Sequence, residues 1–275
     1  IDKGINIAYG PKENGVIEIQ SLQFPKRAQW HVEATPKTKE NDWADYLRGA
    51  VIALSKRRKL EKGLCGVIEG SLPIGGLSSS AAFEVMVGNI LNHLYNDGSI
   101  DNQEIAKYAQ FSENVYFGKP CGLMDQTACA VGGFVAIDFA DPKAPVIEPL
   151  GFDMSAAGYS LCITNTGGNH ADLNDDYASV PAEMKAVAAH FGKVALREVS
   201  KEEIIAAIPT LRKTVGDRAI LRALHFENEN ARVAVQKKAL EDGDLDTFFE
   251  VMKASGNSSY KYLQNVFTVK NVREQ

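Results

Sequence analysis

The stretch Gly70-Ser71-Leu72-Pro73-Ile74-Gly75-Gly76-Leu77-Ser78-Ser79-Ser80-Ala81-Ala82 joins a strand-like segment to a helix-like one. Its glycines let backbone N–H groups turn toward an anion and let that anion come close. A helix starting near Ser79 adds unpaired N–H groups and the positive end of its dipole, so the combination suits a phosphate. The loop lacks the lysine of G-x-x-x-x-G-K-[ST], and its hydroxyls would take that place, bonding phosphate oxygens or ligating Mg²⁺. The same residues equally suit a flexible loop with a serine N-cap. A serine nucleophile fits less well: there is no G-x-S-x-G elbow. None of the five histidines (His31, His93, His170, His190, His225) has a local partner that completes a triad.

A second constellation is Glu113-Asn114, then Pro120-Cys121-Gly122-Leu123-Met124-Asp125-Gln126. One carboxylate ends a helical stretch and the other follows a tight Pro-Cys-Gly turn. Phosphoryl transfer uses one acid to hold a metal ion and another to take or steer the proton of the attacking hydroxyl. Alone, the pair also fits a solvated glutamate and an aspartate cap.

These residues need elements to hold them. Trp43, Tyr46, Leu47, Ala50, Val51 and Leu54 fall on one helical stripe, with Asn41 or Asp42 as cap. A strand over Cys65 to Glu69 leads into the serine loop. Ser79 to Tyr95 is apolar nearly all round and predicts a helix buried in the domain centre. Asp101-x-x-Glu104 predicts a cap for a helix to about Tyr116, a short helix spans Leu123 to Val131, and a strand follows over Phe134 to Phe139. Tyr159 to Asn165 reads as another strand. Beyond it the chain is helical, with Pro181 at a helix start, a capping box at Ser200-x-x-Glu203, and helices over Asp217 to Leu240 and Leu245 to Ser255. A boundary near residue 155 divides a mixed part from a helix-rich part.

Composition narrows the function classes. With 45% hydrophobic residues in 275, the chain can build a full core, which excludes a fibre or a disordered tail. Net charge is -5, and the one basic run, Lys56-Arg57-Arg58-Lys59, reads as a helix end complementing the dipole, so no nucleic-acid partner is expected. No apolar run approaches the ~20 residues of a membrane span, and no signal peptide is visible. The four cysteines (Cys65, Cys121, Cys129, Cys162) show neither C-x-x-C nor metal-ligand spacing and read as buried thiols of a cytoplasmic protein.

Taken together, the two constellations resemble the galactokinases of the GHMP small-molecule kinase superfamily. Pro73 to Ala82 is similar to the family's ATP-phosphate motif, and Cys121-Gly122-Leu123-Met124-Asp125-Gln126, the more specific match, to its catalytic segment. The likeness continues through Ile163-Thr164-Asn165 with His170, Asn174-Asp175-Asp176-Tyr177, Glu227-Asn228-Glu229 and Leu240-x-x-Gly243-Asp244-Leu245. The resemblance implies an α+β, two-domain GHMP kinase-like fold with the active site between the domains. Residues 1–155 would be the ATP-phosphate and catalytic domain, a mixed sheet with packed helices. Residues 156–275 would be a helix-rich, ferredoxin-like C-terminal domain, incomplete.

The implied activity is ATP-dependent phosphorylation of galactose at its C1 hydroxyl, with ATP and Mg²⁺ as cofactors and the hexose and ATP as small-molecule partners. Asp125 would be the catalytic base. Gly75, Gly76, Leu77, Ser78, Ser79, Ser80 and Ala81 would bind the ATP phosphates. Gly122, Asp125 and Tyr177 would contact the sugar, and Ser79, Ser80 and Glu113 would serve the metal. The family's Arg/Glu/His/Asp-rich sugar signature and its closing glycine-rich motif have no counterpart in residues 1–275. At Tyr177-Ala178-Ser179-Val180-Pro181 the usual basic pair is Val-Pro, and Ser255-Gly256-Asn257-Ser258-Ser259 departs from the commoner His-containing form. The chain therefore resembles the central part of a galactokinase, with weak or no activity expected of it in isolation. Other readings are a kinase for N-acetylgalactosamine or another hexose, and a non-catalytic galactose- and ATP-binding regulator. The dipeptide Ser80-Ala81, which the sensor type lacks, favours the enzyme.

Overall fold

A computed structural model describes residues 4–56, 60–70, 77–119, 121–164 and 174–266. Gly75, Gly76, Asn165, His170 and the basic residues Arg57, Arg58 and Lys59 lie outside them. The chain forms two compact units, Ile1–Val135 and Ala136–Gln275.

The first unit is built on a four-stranded sheet. Its strands are β1 (Ile5–Lys12), β2 (Val16–Ser21), β3 (Ala28–His31) and β4 (Gly63–Gly70), in the order β1-β4-β2-β3. β2 and β4 run parallel, and the other pairs are antiparallel. Alternation on β2 sends Ile17 and Ile19 to the buried face. There they meet Leu47, Val51 and Leu54 of α1 (Asp45–Ser55) and Val87, Ile90 and Leu91 of α2 (Ser79–Asn96). Each fully buried Leu or Ile contributes roughly 1.5–3 kcal/mol, so this layer anchors α2, whose first turn carries the serines. Asp101 caps α3 (Asn102–Phe111) by accepting from the Glu104 N–H, as its spacing predicts. A π-helical turn, Ser112–Phe117, continues α3, and α4 (Met124–Val131) follows.

The start of α1 differs from expectation. α1 begins at Asp45, after Trp43; Asp42 caps the preceding turn by accepting from the Ala44 N–H at 3.0 Å, and Asn41 is not a cap. The buried Asp45 carboxylate accepts from the N–H groups of Glu40 (3.0 Å), Asn41 (2.7 Å) and Asp42 (3.3 Å), closing that loop. Arg48 ties Asp42 (2.6 Å) and Asp45 (2.7 Å) together. Burial alone would raise the Asp42 carboxyl, but the hydrogen bonds from Arg48 and Lys26 outweigh it and hold it down to about 2. At the other end of α1, Lys56 lies 3.7 Å from the centre of the Phe111 ring.

The second unit is helix-rich. β5 (Phe134–Asp138), which straddles the division, and β6 (Val146–Leu150) form a two-stranded sheet. They are followed by α5 (Asn174–His190), α6 (Lys201–Ala206), α7 (Ile208–Thr214), α8 (Asp217–Asp242) and α9 (Leu245–Ser258). Val187, Leu196, Ile204, Leu211, Ile220 and Ala223 make its core. Ion pairs Arg197–Asp138 (2.7 Å) and Lys237–Glu148 (2.6 Å) fasten the small sheet to the helical segments. The Ser200–Glu203 capping box is present.

Pro181 lies inside α5, not at its start. Packing of Val187 and Ala188 and the Arg218–Glu183 pair (2.5 Å) retain a helix that the proline's missing N–H would weaken. A strand is expected over Tyr159 to Asn165, but residues 159–164 form none; they are exposed, no described strand pairs with them, and Asn165 lies outside the described residues. All four cysteines are free, Cys65 and Cys121 half-buried, but Cys129 and Cys162 are exposed and not buried as expected. No described helix is long and apolar enough to cross a membrane.

Candidate active site

Both constellations lie in the first unit, and the fold brings them together. Ser78 precedes α2 with φ 53 and ψ 40, a left-handed conformation that disfavours a side chain bearing Cβ. Its hydroxyl makes no cap bond to α2; it donates to Asp125 Oδ2 at 2.5 Å. Asp125 sits exposed in the first turn of α4, where the helix dipole favours its charge. Within the first turn of α2, the Ser80 hydroxyl donates to Glu113 Oε1 at 3.0 Å. The serine loop thus reaches both carboxylates.

The π-helical turn explains why Glu113 is buried where a solvated glutamate would be the usual outcome. Widening the helix at Ser112–Phe117 rotates Glu113 inward, and Gln126 Nε2 donates to its Oε2 at 3.1 Å. Gly49 of α1 makes room for that turn, since a Cβ there would collide with Ser112 Oγ. Ser112 in turn donates to the Tyr46 carbonyl at 3.0 Å. Gly118, at φ 78, ends the turn and lets the Lys119 N–H reach the Glu113 carbonyl at 3.0 Å. Lys119 Nζ then folds back onto Glu113 Oε1 at 2.7 Å.

The turn before Asp125 is equally well held. Asn114 accepts from the Cys121 N–H at 2.6 Å and donates to the Cys121 carbonyl at 3.1 Å. That reciprocal pair fixes where Gly122 and α4 begin. Burial, and then the charge of Glu113, push the Cys121 thiol up to about 11, which leaves it neutral and inert.

Sequence patterning did not single out three features. Glu84 is fully buried in α2; burial, then the charge of Glu113, push its carboxyl up to about 9 against the opposing pull of the nearby Ser112 hydroxyl. Lys119 was not recognised as a partner of Glu113. The third is an aromatic pocket of about 420 Å³ opening beside Ser79 and Ser80. Phe24 stacks on Trp43 (6.2 Å, 12° between planes), Trp43 meets Phe83 edge-on (6.4 Å), and Tyr46 stacks on Phe117 (4.6 Å). Trp43 and Tyr46 belong to the amphipathic stripe and Phe83 to the apolar helix in sequence, and only their clustering beside Ser79 and Ser80 makes them a pocket wall.

Of the remaining expected residues, Leu77 is half-buried beside the loop, and the Ala81 side chain is buried in the core, leaving only its backbone for an anion. Gly122 is exposed. Tyr177, 61% exposed, lies on α5 in the second unit. Oxygen donors of Ser80 and Glu113 suit a hard cation held by few protein ligands; among the described residues no group of three or more His, Cys, Asp or Glu could hold a metal.

Residues 45–133 match the family described as GHMP kinases N terminal domain. A galactokinase of Actinobacillus pleuropneumoniae serotype 5b (strain L20) is 28% identical over 260 residues, covering 94% of this chain; the chain spans 66% of that relative's length. The structure of a Lactococcus lactis galactokinase complexed with galactose superimposes with a TM-score of 0.77 at 26% identity, covering 96% of this chain and 69% of that one. A D-glycero-D-manno-heptose 1-phosphate kinase, at 16% identity, TM-score 0.54 and coverage of 95% and 72%, shares the fold.

Proposed function

We propose that this is a sugar kinase that transfers the γ-phosphoryl group of ATP to the C1 hydroxyl of galactose, a reading supported by the match of residues 45–133 to the GHMP kinases N terminal domain and by the likeness to a galactokinase structure. The observation that carries this reading is the convergence of one serine segment on two acids, Ser78 on Asp125 and Ser80 on Glu113, at the mouth of an aromatic pocket.

The pocket receives the adenine, since a flat base gains from aromatic faces, and the phosphates then run along the start of α2. Ser79 and Ser80 offer hydroxyls to the phosphate oxygens, alongside the backbone of Gly75, Gly76, Leu77, Ser78 and Ala81. Ser80 and Glu113, with Ser79 beside them, are the groups that would hold Mg²⁺. Bound there, Mg²⁺ supplies charge neutralisation on the transferring phosphate. Asp125 accepts the proton of the C1 hydroxyl, or holds it by charge, as the oxygen attacks phosphorus and ADP leaves in line. The Ser78 hydroxyl bond keeps the Asp125 side chain aimed while it does so. By the family resemblance alone, Gly122 would offer a backbone contact to the sugar and Tyr177 a hydroxyl.

The test is product identity. ³¹P and ¹H NMR of the full-length protein with ATP, Mg²⁺ and a panel of galactose, N-acetylgalactosamine and other hexoses should yield an anomeric phosphate from galactose first. Preference for another hexose corrects the substrate, and no sugar phosphate from any hexose refutes the kinase.

A further inference from the structure

Lys119 and Glu113 form an ion pair that the reaction does not require. Ser80 Oγ and Lys119 Nζ both donate to Glu113 Oε1, at 3.0 and 2.7 Å. The carboxylate is 3% exposed and the ammonium side chain 57% exposed. We propose that Lys119 is the resident counter-ion of the metal position, competing with a divalent cation for Glu113. This rests on the reading of Ser80 and Glu113 as the metal-holding pair.

The asymmetry of burial is the argument. A buried carboxylate without a counter-charge is costly, and the nearby buried Glu84, itself an acid that the charge of Glu113 pushes toward its neutral form, supplies none. Some cation must therefore stand at Glu113. An ammonium on an exposed four-carbon stem leaves at little expense, because water solvates it on departure. The backbone guarantees its return, since Gly118 turns the chain so that the Lys119 N–H is pinned to the Glu113 carbonyl. A divalent ion bound through Oε1 cannot coexist with an ammonium at hydrogen-bond distance from the same oxygen, because like charges that close repel strongly. The consequence is weak metal binding by the nucleotide-free protein.

The experiment titrates Mn²⁺ into the nucleotide-free, full-length protein and reads free Mn²⁺ by electron paramagnetic resonance, for wild type, Lys119→Met, Lys119→Arg and Glu113→Gln. Thermal melts confirm that each is folded. Lys119→Met should bind Mn²⁺ about tenfold tighter, the scale of one charge-assisted hydrogen bond, with Lys119→Arg close to wild type and Glu113→Gln without the site. The proposal is overturned if Lys119→Met binds no tighter, or if Lys119→Arg tightens as much, while Glu113→Gln still removes the site. If Glu113→Gln binds Mn²⁺ like wild type, the reading of Glu113 as a metal ligand falls and takes this proposal with it.

Discussion

The Ser78 hydroxyl donates to Asp125 Oδ2 at 2.5 Å from a backbone held at φ 53 and ψ 40. A non-glycine residue in that region carries of order 1 kcal/mol of strain, which the surrounding packing must offset. The bond turns the end of the serine loop away from simple helix capping and couples it to the acid that would serve as base. Two segments separated by 47 residues thereby form one site.

The aromatic pocket is expected to carry nucleotide affinity. Trp43→Ala removes the face that stacks on Phe24 and abuts Phe83. Calorimetric titration with a non-hydrolysable ATP analogue should show a loss of about 1–2 kcal/mol, roughly tenfold in Kd. An unchanged Kd would place the base elsewhere.

Gly49 tests the route by which α1 positions Glu113. Alanine is the better helix former by about 1 kcal/mol, so an unpacked site would be stabilised by the change. Here the added methyl meets Ser112, and overpacking of a filled core costs about 1–3 kcal/mol. Urea denaturation of Gly49→Ala should show a net loss of stability; a gain would mean that the π-helical turn yields freely.

Glu84 sets a pH dependence of opposite sign to that of ordinary paired acids. Its folded carboxyl stays protonated up to about 9, whereas the unfolded chain ionises near the usual carboxylate value. Between those limits the native state holds a proton that the unfolded state releases, so stability falls as pH rises. Glu84→Gln should remove that slope, gaining more over wild type at about pH 8.5 than at about pH 5 in chemical denaturation. Equal shifts at both values would mean that Glu84 is not held neutral.

The parts of this structure that depend on local sequence were legible in it. The Asp101 and Ser200 caps, the buried α2 and the strand feeding the serine loop follow from spacing and propensity. Tyr159 to Ile163 has strand alternation, but a strand also needs a partner, and no described strand pairs with it. Pro181 signals a helix start in sequence but sits inside α5, where tertiary packing overrides its local penalty. At the site, residue types announced phosphate chemistry, and resemblance supplied the roles. Burial of Glu113 follows from a π-helical turn packed against Gly49, neither of which leaves a periodic signal.

Asp125 is the central claim, and sugar-stimulated ADP release by the full-length protein tests it most directly. With ATP, Mg²⁺ and galactose, Asp125→Asn should lower the turnover about 10²- to 10⁴-fold, the range for loss of a general base, while binding the ATP analogue as wild type does. Full turnover by the Asn variant would contradict the account.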